Sequence, residues 1–161
     1  MVTFTEFPLG LPGRILGSPM PFGIYDQDGE LFPELKRQDI SVVVVLAEDE
    51  EYLEQTQRNL PTFYLTQGFK VIHLPTPNYG VPPHEPLDVA ITRTIAYANA
   101  SQSTLIHCSA GIGRTAFFAI FLAMKVMGLP GREAIRWVGQ HHPRTLLTPI
   151  QIEMILTHSP P

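Results

Sequence analysis

The hydrophobic pattern of the chain alternates between short apolar runs and longer stretches with helical periodicity. Residues 40–46 (ISVVVVL) are β-branched and apolar almost throughout, which is typical of a central strand covered on both faces. Residues 69–74 (FKVIHL) and 103–106 (STLI) predict two further short strands. Because the segments between these strands favour helices, we expect an α/β fold. It should be a single compact domain in which helices flank a mostly parallel central sheet.

The predicted helices differ in how much apolar surface they carry. Residues 116–124 are apolar almost all round, so this helix is expected in the core, and it should end at Gly128 before Pro130. The proline at position 86 suits the first turn of the helix that begins there. Residues 48–51 are all acidic, and we interpret them as the solvated start of a helix rather than a partner-binding patch. The expected helices span residues 31–38, 48–59, 87–100, 116–127, 132–140 and 151–156.

Prolines and glycines mark the segments outside these elements. Residues 1–23 predict extended chain broken by turns. The segment 75–86 contains five prolines, and a stiff loop of this kind suits positioned side chains. A plain connector is the alternative interpretation of that segment.

Composition narrows the functional class. The chain has 161 residues, of which 44% are hydrophobic, and this suffices for one domain spanning residues 1–161. Its net charge of −4, without a basic block, argues against a nucleic-acid binder. No apolar run reaches membrane-spanning length, and the first residues do not have the pattern of a signal peptide. We therefore expect a cytoplasmic protein without a membrane span.

Cysteine and histidine usage argues against a disulfide framework or a metal site. Cys108 is the single cysteine, so the chain can form no internal disulfide and no cysteine-based zinc site. His141 and His142 are adjacent, and adjacent side chains do not face one site on a helix. We expect no metal.

One stretch, residues 107–115 (HCSAGIGRT), joins a predicted strand to the apolar helix through a glycine-containing turn. The free N–H groups and the dipole of a helix N-terminus favour an anion at such a turn. Gly111 and Gly113 should allow positive φ angles and a close approach of the backbone to a ligand. The sequence therefore predicts an anion-binding loop here.

The same stretch carries the groups needed for displacement at phosphorus. A thiol at a helix N-terminus has a lowered pKa, so Cys108 is expected to be a nucleophilic thiolate. Arg114 offers a planar fork that can hold two phosphate oxygens, and Thr115 could donate a hydrogen bond to the thiolate sulfur. A lone cysteine at a strand end is usually a small buried apolar residue. The agreement of the two glycines, the arginine and the hydroxyl residue favours the catalytic interpretation.

The pattern His-Cys-x-x-Gly-x-x-Arg-Thr resembles the signature of the cysteine-dependent protein tyrosine and dual-specificity phosphatases. The resemblance implies that Cys108 is the nucleophile and forms a phosphocysteine intermediate, and that His107 supports the loop and helps to keep the thiol ionised. Thr115 would assist loss of the thiolate. The small size resembles the dual-specificity branch, and the opening segment is similar to the edge segment of small family members. The implied phosphate-binding residues are Ser109, Ala110, Gly111, Ile112, Gly113 and Arg114.

The resemblance also points to a general acid about thirty residues before the nucleophile, where the family often has Asp. Asn78 stands thirty residues before Cys108, and an amide cannot protonate a leaving group. Three explanations are open: Asn78 replaces a natural Asp, a nearby carboxylate such as Glu85 or Asp88 substitutes, or the chemistry is slow or restricted to good leaving groups. Loss of general acid catalysis typically costs roughly 10²–10⁴-fold in rate.

A Thr-x-x-Gln pattern at Thr148 and Gln151 resembles the family segment whose glutamine orients the water that attacks the phosphocysteine. The alternative is that Gln151 only begins an amphipathic C-terminal helix. The motif is short, and the two interpretations have equal weight.

The resemblance implies a phosphatase that hydrolyses phosphomonoesters in two steps, with phosphotyrosine in proteins as the favoured substrate and phosphoserine or phosphothreonine as further candidates. No cofactor is expected, because the loop and the arginine supply the electrostatic stabilisation. A phosphoinositide or small-molecule phosphatase is one alternative. A catalytically weak pseudophosphatase that reads phosphate is another, because of Asn78. The expected partner is a phosphorylated protein or peptide, and the expected state is a monomer.

Overall fold

A single mixed sheet organises the protein. In the computed structural model, which describes residues 4–158, five strands lie in the order β1-β2-β5-β3-β4. Only β1 runs antiparallel to its neighbour, so the expected mostly parallel α/β sheet is confirmed. The strands are β1 (Thr5–Glu6), β2 (Ile15–Ser18), β3 (Ile40–Val45), β4 (Lys70–His73) and β5 (Ser103–His107).

The opening segment contributes two of these strands. β1 is an edge strand, as the resemblance implied for this part of the chain. β2, in contrast, lies between β1 and β5, and all four of its residues are buried. A strand with neighbours on both sides fixes the position of the turn at its end, and the turn after β2 lies against the predicted anion-binding loop.

The predicted helices are confirmed to within a few residues, with one exception. The segment 48–59 is not one helix: Gln57 adopts a left-handed φ of 53° and ends α2. A second helix, α3, then begins, with Asn59 accepting a hydrogen bond from the Thr62 N–H and Pro61 in the first turn. The helices are α1 (Leu31–Arg37), α2 (Asp49–Thr56), α3 (Leu60–Thr66), α4 (His84–Asn99), α5 (Arg114–Met127), α6 (Gly131–His141) and α7 (Pro149–Thr157).

The two faces of the sheet are covered by different helices. On one face, Val42 and Val44 of β3 pack with α4, α5, α6 and α7. On the other, Val43 and Val45 of the same strand pack with α1, α2 and α3. Side chains alternate along a strand, so a strand buried on both faces reads as a continuous apolar run.

The central strand and the buried helix meet at the predicted anion-binding loop. β5 is the middle strand, and α5 is buried at every position from Arg114 to Met124, as its apolar sequence predicted. α5 ends where Gly128 adopts a φ of 66°. The loop between β5 and α5 therefore lies at the carboxyl end of the parallel strands, where open α/β sheets bind ligands.

Helix length and hydropathy bear on whether any element could span a membrane. Among the described residues, no helix taken singly has the length and apolar character needed to cross a bilayer. The pair α5 and α6 meets these criteria jointly, but its two helices bend by 118° at their junction.

Candidate active site

Three carbonyl groups of the loop of residues 108–113 point outward, to the surrounding chain. The carbonyls of Ser109, Gly111 and Ile112 each accept a hydrogen bond from the surrounding chain. The three donors are the Met20 N–H, the His142 Nε2–H and the Leu146 N–H, each at 2.9 Å. In a trans peptide the next N–H points to the opposite side. The N–H groups of residues 110, 112 and 113 therefore face the middle of the loop, which is the arrangement that an anion cradle requires.

Glycine is required at one loop position for two reasons. Gly111 adopts a φ of 80°, and a Cβ atom there would lie 2.7 Å from the Ser18 backbone. Gly113 differs from the expectation, because its φ is −109° and any residue can adopt that angle. A Cβ atom at Gly113 would lie 3.3 Å from the Leu146 carbonyl oxygen, so close packing is the feature that favours glycine there.

The thiol of Cys108 lies at the base of this cradle. The Thr115 hydroxyl, in the first turn of α5, donates a hydrogen bond to Cys108 Sγ at 3.2 Å. Both side chains are buried. Gly17 of β2 allows this arrangement, because a Cβ atom there would lie 2.9 Å from the Thr115 methyl group. The predicted contact between the hydroxyl and the sulfur is therefore present.

Arg114 is fixed by a carboxylate. Its Nη1 and Nη2 atoms donate to Glu51 Oε2 and Oε1, each at 2.7 Å, and Nη1 also donates to the Thr76 carbonyl at 2.8 Å. Burial is the largest single influence on the pKa of the Arg114 guanidinium and lowers it, but the hydrogen bond to Glu51 and the nearby negative charges together outweigh burial and raise this pKa. Burial is also the largest single influence on the pKa of the Glu51 carboxyl and raises it, but the hydrogen bond and charge of Arg114 and the hydrogen bond from the Glu48 N–H together outweigh burial and lower this pKa. Both groups therefore stay charged near neutral pH.

The interpretation of residues 48–51 as a solvated acidic run is correct for Glu48, Asp49 and Glu50 and wrong for Glu51. The first three are exposed, whereas the Glu51 side chain is 19% exposed and points at Arg114. One turn later on α2, Gln55 donates to the Ser109 hydroxyl at 2.9 Å. One helix therefore fixes both ends of the loop.

His107 supports the loop as a neutral side chain. It is fully buried, and its Nε2 lies 2.9 Å from the Tyr64 hydroxyl. Burial lowers the pKa of His107 to about 4. The imidazole is then uncharged near neutral pH, and its Nδ1 lies 3.2 Å from the Cys108 carbonyl oxygen.

The second histidine near the loop was not identified from the sequence. His142 is buried and connects the Gly111 carbonyl to the Thr5 hydroxyl through its two ring nitrogens. Burial lowers the pKa of this imidazole. Its neighbour His141 is exposed. Across residues 4–158, no three His, Cys, Asp or Glu side chains converge as metal ligands would.

A cavity of about 190 Å³ opens above Cys108. Of the predicted phosphate-binding residues, five line it, whereas Gly111 packs against Ser18. Asn78 and Gln151 also line the cavity, although they are 30 and 43 positions away from Cys108. The five lining residues of the loop are Ser109, Ala110, Ile112, Gly113 and Arg114.

The two carboxylates considered as substitute acids lie elsewhere. Glu85 lines a separate depression beside His73 and Arg93. Asp88 lies 3.6 Å from Nε2 of His158. Among the described residues that line the cavity above Cys108, there is no carboxylate, so neither Glu85 nor Asp88 takes the place of an acid at Asn78.

Three large apolar side chains surround the mouth of the cavity. Tyr25, Tyr79 and Leu146 line it and are each about two-thirds exposed. They come from three different loops, and large apolar groups exposed together mark interaction sites. We call this set the apolar rim. No pattern in the sequence indicated it, because the three residues lie more than fifty positions apart.

Comparison with known proteins agrees with this geometry. A family model described as "Tc-R-P: Polymorphic toxin system, DSP-PTPase phosphatase" matches residues 21–126, which is more than half of the chain. A comparison with curated protein sequences gives no significant match.

Solved structures share the fold. The kinase associated phosphatase KAP, with its catalytic cysteine changed to serine, superposes with a TM-score of 0.86 at 18% identity, covering 96% of this chain and 92% of that one. Tk-PTP, in a glycine-to-alanine mutant form, gives 0.73 at 30% identity and covers 89% and 87%. PTPMT1 in complex with PI(5)P gives 0.75 at 18% identity and covers 88% and 87%. The resemblance inferred from residues 107–115 is confirmed, and the chain belongs to the DSP-PTPase phosphatase family of polymorphic toxin systems.

Proposed function

We propose that the protein hydrolyses phosphomonoesters through Cys108, with phosphotyrosine in a protein or peptide as its substrate. In the first step the Cys108 thiolate attacks phosphorus in line. The S–P bond forms as the bond from phosphorus to the leaving oxygen breaks, and the electron pair leaves with that oxygen. The three other phosphate oxygens are held by the inward N–H groups of the loop and by Arg114.

The observation that carries this proposal is the fixed relation of the thiol to its anion-binding partners. Thr115 Oγ1 lies 3.2 Å from Cys108 Sγ, and Glu51 holds the Arg114 fork in place. Donors that are fixed before the substrate arrives need no reorganisation during the reaction, which is where such sites gain most of their rate. A buried structural cysteine would require none of these groups.

In the second step a water molecule attacks the phosphocysteine. The S–P bond breaks, the electron pair returns to sulfur, and inorganic phosphate is released. The attacking water gives its proton to bulk solvent, which also protonates the leaving oxygen released in the first step. The Thr115 hydroxyl stabilises the departing thiolate by the hydrogen bond that it already makes. The step regenerates the starting enzyme.

The absence of a carboxylate among the described residues lining the cavity favours an aryl substrate. The phenol of tyrosine has a pKa of about 10. An aliphatic alcohol resembles bulk water more closely, and the pKa of bulk water is about 15.7. A phenolate therefore leaves more readily without a proton donor. The apolar rim supplies exposed apolar surface beside the cavity, which suits an aromatic ring carried by the phosphate.

Charge disfavours a polyphosphorylated inositol as the substrate. Among the described residues that line the cavity, Arg114 carries the one positive charge. A single arginine suits one phosphate group, whereas a polyphosphorylated inositol would place further anions against an uncharged wall.

The test is a substrate panel in EDTA: an aryl phosphate, a phosphotyrosine peptide, a phosphoserine peptide and a phosphoinositide. We expect the aryl substrates to turn over at least about 100-fold faster than the phosphoserine peptide, from the usual size of a missing acid's contribution. Cys108→Ser and Arg114→Lys should abolish turnover, with the exposed Arg132→Lys as the matched control. Turnover that survives in Cys108→Ser would exclude the mechanism, and a preference for the phosphoinositide would exclude the substrate class.

Asn78 favours one second candidate, a phosphate-reading module with negligible turnover. Its amide cannot protonate a leaving group, yet the phosphate-binding loop is complete. Tight binding of orthovanadate by a protein that turns over no substrate, either as the parent or as Asn78→Asp, would establish this candidate.

A further inference from the structure

The start of α7 contacts the turn that carries Asn78. Gln151 is 1% exposed, and its Nε2 donates to the Gly80 carbonyl at 3.0 Å, while its Oε1 accepts from the Thr148 N–H at 3.0 Å. The Thr148 hydroxyl donates to the Tyr79 carbonyl at 2.9 Å. Two consecutive carbonyls of the turn are therefore held by side chains at the first turn of a helix about seventy residues away in sequence.

The turn that they hold is strained. It is closed by a hydrogen bond from the Gly80 N–H to the Pro77 carbonyl at 2.9 Å. Tyr79 adopts a left-handed φ of 65°, which costs a residue with a large side chain of the order of 1–2 kcal/mol. The Tyr79 side chain is 69% exposed, so its own packing cannot supply that energy. A strained conformation persists only where surrounding contacts impose it.

The turn is also connected to the phosphate-binding arginine. Two residues before Asn78, the Thr76 carbonyl accepts from Arg114 at 2.8 Å, and the Thr76 N–H donates to Leu46 at 3.0 Å. Asn78 itself lines the cavity. The segment 76–80 therefore contributes Asn78 and Tyr79 to the cavity wall, and it is bonded to Arg114 at its start and to α7 at its end.

We propose that Gln151 and Thr148 are positioning residues that hold the 77–80 turn in its strained conformation and so keep Asn78 in the wall of the cavity. The proposal rests on the proposed function of the site. In this role Gln151 helps to build the wall that contacts the substrate, so its effect begins with substrate binding and the first chemical step. The role implied by family resemblance, orientation of the attacking water, belongs to the second step alone.

These two roles predict different consequences when the amide is removed. If Gln151 positions the turn, Gln151→Met and Thr148→Val release the same turn. Both should then raise the KM for an aryl phosphate and slow formation of the phosphocysteine. If Gln151 orients water, Gln151→Met alone slows hydrolysis of the intermediate, and phosphocysteine accumulates in a pre-steady-state burst.

A readout that needs no turnover separates this proposal from the proposed function. We would measure amide hydrogen exchange at Gly80 and Thr76 by NMR in the ligand-free protein, together with the affinity for orthovanadate. Gln151→Met and Thr148→Val should each accelerate exchange at Gly80 by at least about tenfold, and the vanadate affinity should fall. Thr148→Ser keeps the hydroxyl, so hydrogen exchange at Gly80 in this variant should proceed at the wild-type rate.

Thr157→Val is the matched control. Its hydroxyl bonds to the Glu153 carbonyl at the far end of the same helix, so it tests whether any loosening of α7 is sufficient. Exchange at Gly80 that stays within threefold of wild type in both Gln151→Met and Thr148→Val would overturn the proposal, as would equal acceleration in Thr157→Val. A burst of phosphocysteine confined to Gln151→Met would assign the glutamine to the water instead. Because exchange is measured without substrate, a protein with no turnover still decides the question.

Discussion

The two carboxylate oxygens of Glu51 each accept a hydrogen bond from one terminal nitrogen of Arg114, both at 2.7 Å. Parallel bonds of this kind fix the plane of the guanidinium as well as its position. The Arg114 side chain is 2% exposed, so this plane is set by the protein before any phosphate is bound.

Glu51→Gln should therefore destabilise the protein and weaken phosphate binding. Breaking a fully buried ion pair costs about 3–5 kcal/mol, and we expect about 2–3 kcal/mol here because the Glu51 side chain is 19% exposed. Urea denaturation measures the loss of stability, and the KM for an aryl phosphate measures the loss of binding. Glu50→Gln removes the neighbouring exposed charge and is the control. Equal effects of the two substitutions would contradict the assignment.

Gly111→Ala should abolish phosphate binding. The substitution combines an unfavourable φ of 80° with a Cβ atom 2.7 Å from the Ser18 backbone. Gly10→Ala is a matched control, because Gly10 has a φ of 78° and a Cβ atom there would meet nothing within 4 Å. Gly10→Ala should cost about 1 kcal/mol from φ strain alone. Gly111→Ala should lower the free energy of unfolding by more than Gly10→Ala does, and it should eliminate orthovanadate binding. Calorimetry measures both the stability and the binding. Identical results for the two variants would contradict the role of the close contact.

The stability of the protein should fall between pH 6.5 and pH 4 because of His107. Its pKa in the folded protein is about 4, lowered by burial from an ordinary value of 6.5, so the unfolded chain binds more protons in this range. The stabilising contribution is complete above pH 6.5 and is lost as the pH falls towards 4. Its size is about 3 kcal/mol, from the difference between the two pKa values. His142, whose pKa burial also lowers, contributes with the same sign.

Urea denaturation at several pH values measures this dependence. His107→Gln should be less stable at pH 7 and should lose correspondingly less stability on acidification. The exposed His141→Gln should keep the wild-type pH dependence. A slope that is unchanged in His107→Gln would contradict the buried neutral imidazole.

Asn78→Asp should raise the rate with poor leaving groups more than with good ones. A carboxylic acid in the cavity wall could protonate the leaving oxygen, and general acid catalysis contributes roughly 10²–10⁴-fold. We expect a gain towards the lower end of that range for a phosphoserine peptide and little change for an activated aryl phosphate. The kcat/KM profile against pH should gain a descending limb on the basic side. Equal gains for all substrates would show that Asn78 affects binding rather than proton transfer.

The fold was largely predictable because most of its helices and strands carry their own hydrophobic pattern in the local sequence. The runs of apolar residues in β3 and β5 and the apolar helix α5 each carry their own burial pattern. The break between α2 and α3 was not predicted, although Asn59 followed by Pro61 is an N-terminal helix signal. The acidic start of α2 favoured one continuous helix, and the left-handed Gln57 that ends it is a residue without a glycine's preference for that conformation.

The site was predictable where its residues are adjacent in sequence and not where they are distant. The loop from His107 to Thr115 is a single stretch, and its pattern indicated the candidate nucleophile, the Thr115 hydroxyl beside it and the glycine-containing turn that the structure brings together. Glu51 contacts Arg114 across 63 positions, and His142 contacts Gly111 across 31. Nothing local distinguishes Glu51 from its exposed acidic neighbours, because its role is created by the packing of α2 against the loop.

Because β5 lies in the middle of the sheet, the candidate active site should stay intact under denaturing conditions for as long as the whole domain stays folded. β5 is paired with β2 on one side and β3 on the other, so fraying of the edge strands β1 and β4 does not reach it. Amides in such a strand exchange only through the largest opening events of a domain. Phosphate binding and the native fold are therefore expected to disappear in the same transition, and the activity remaining after partial denaturation should count the molecules that are still folded.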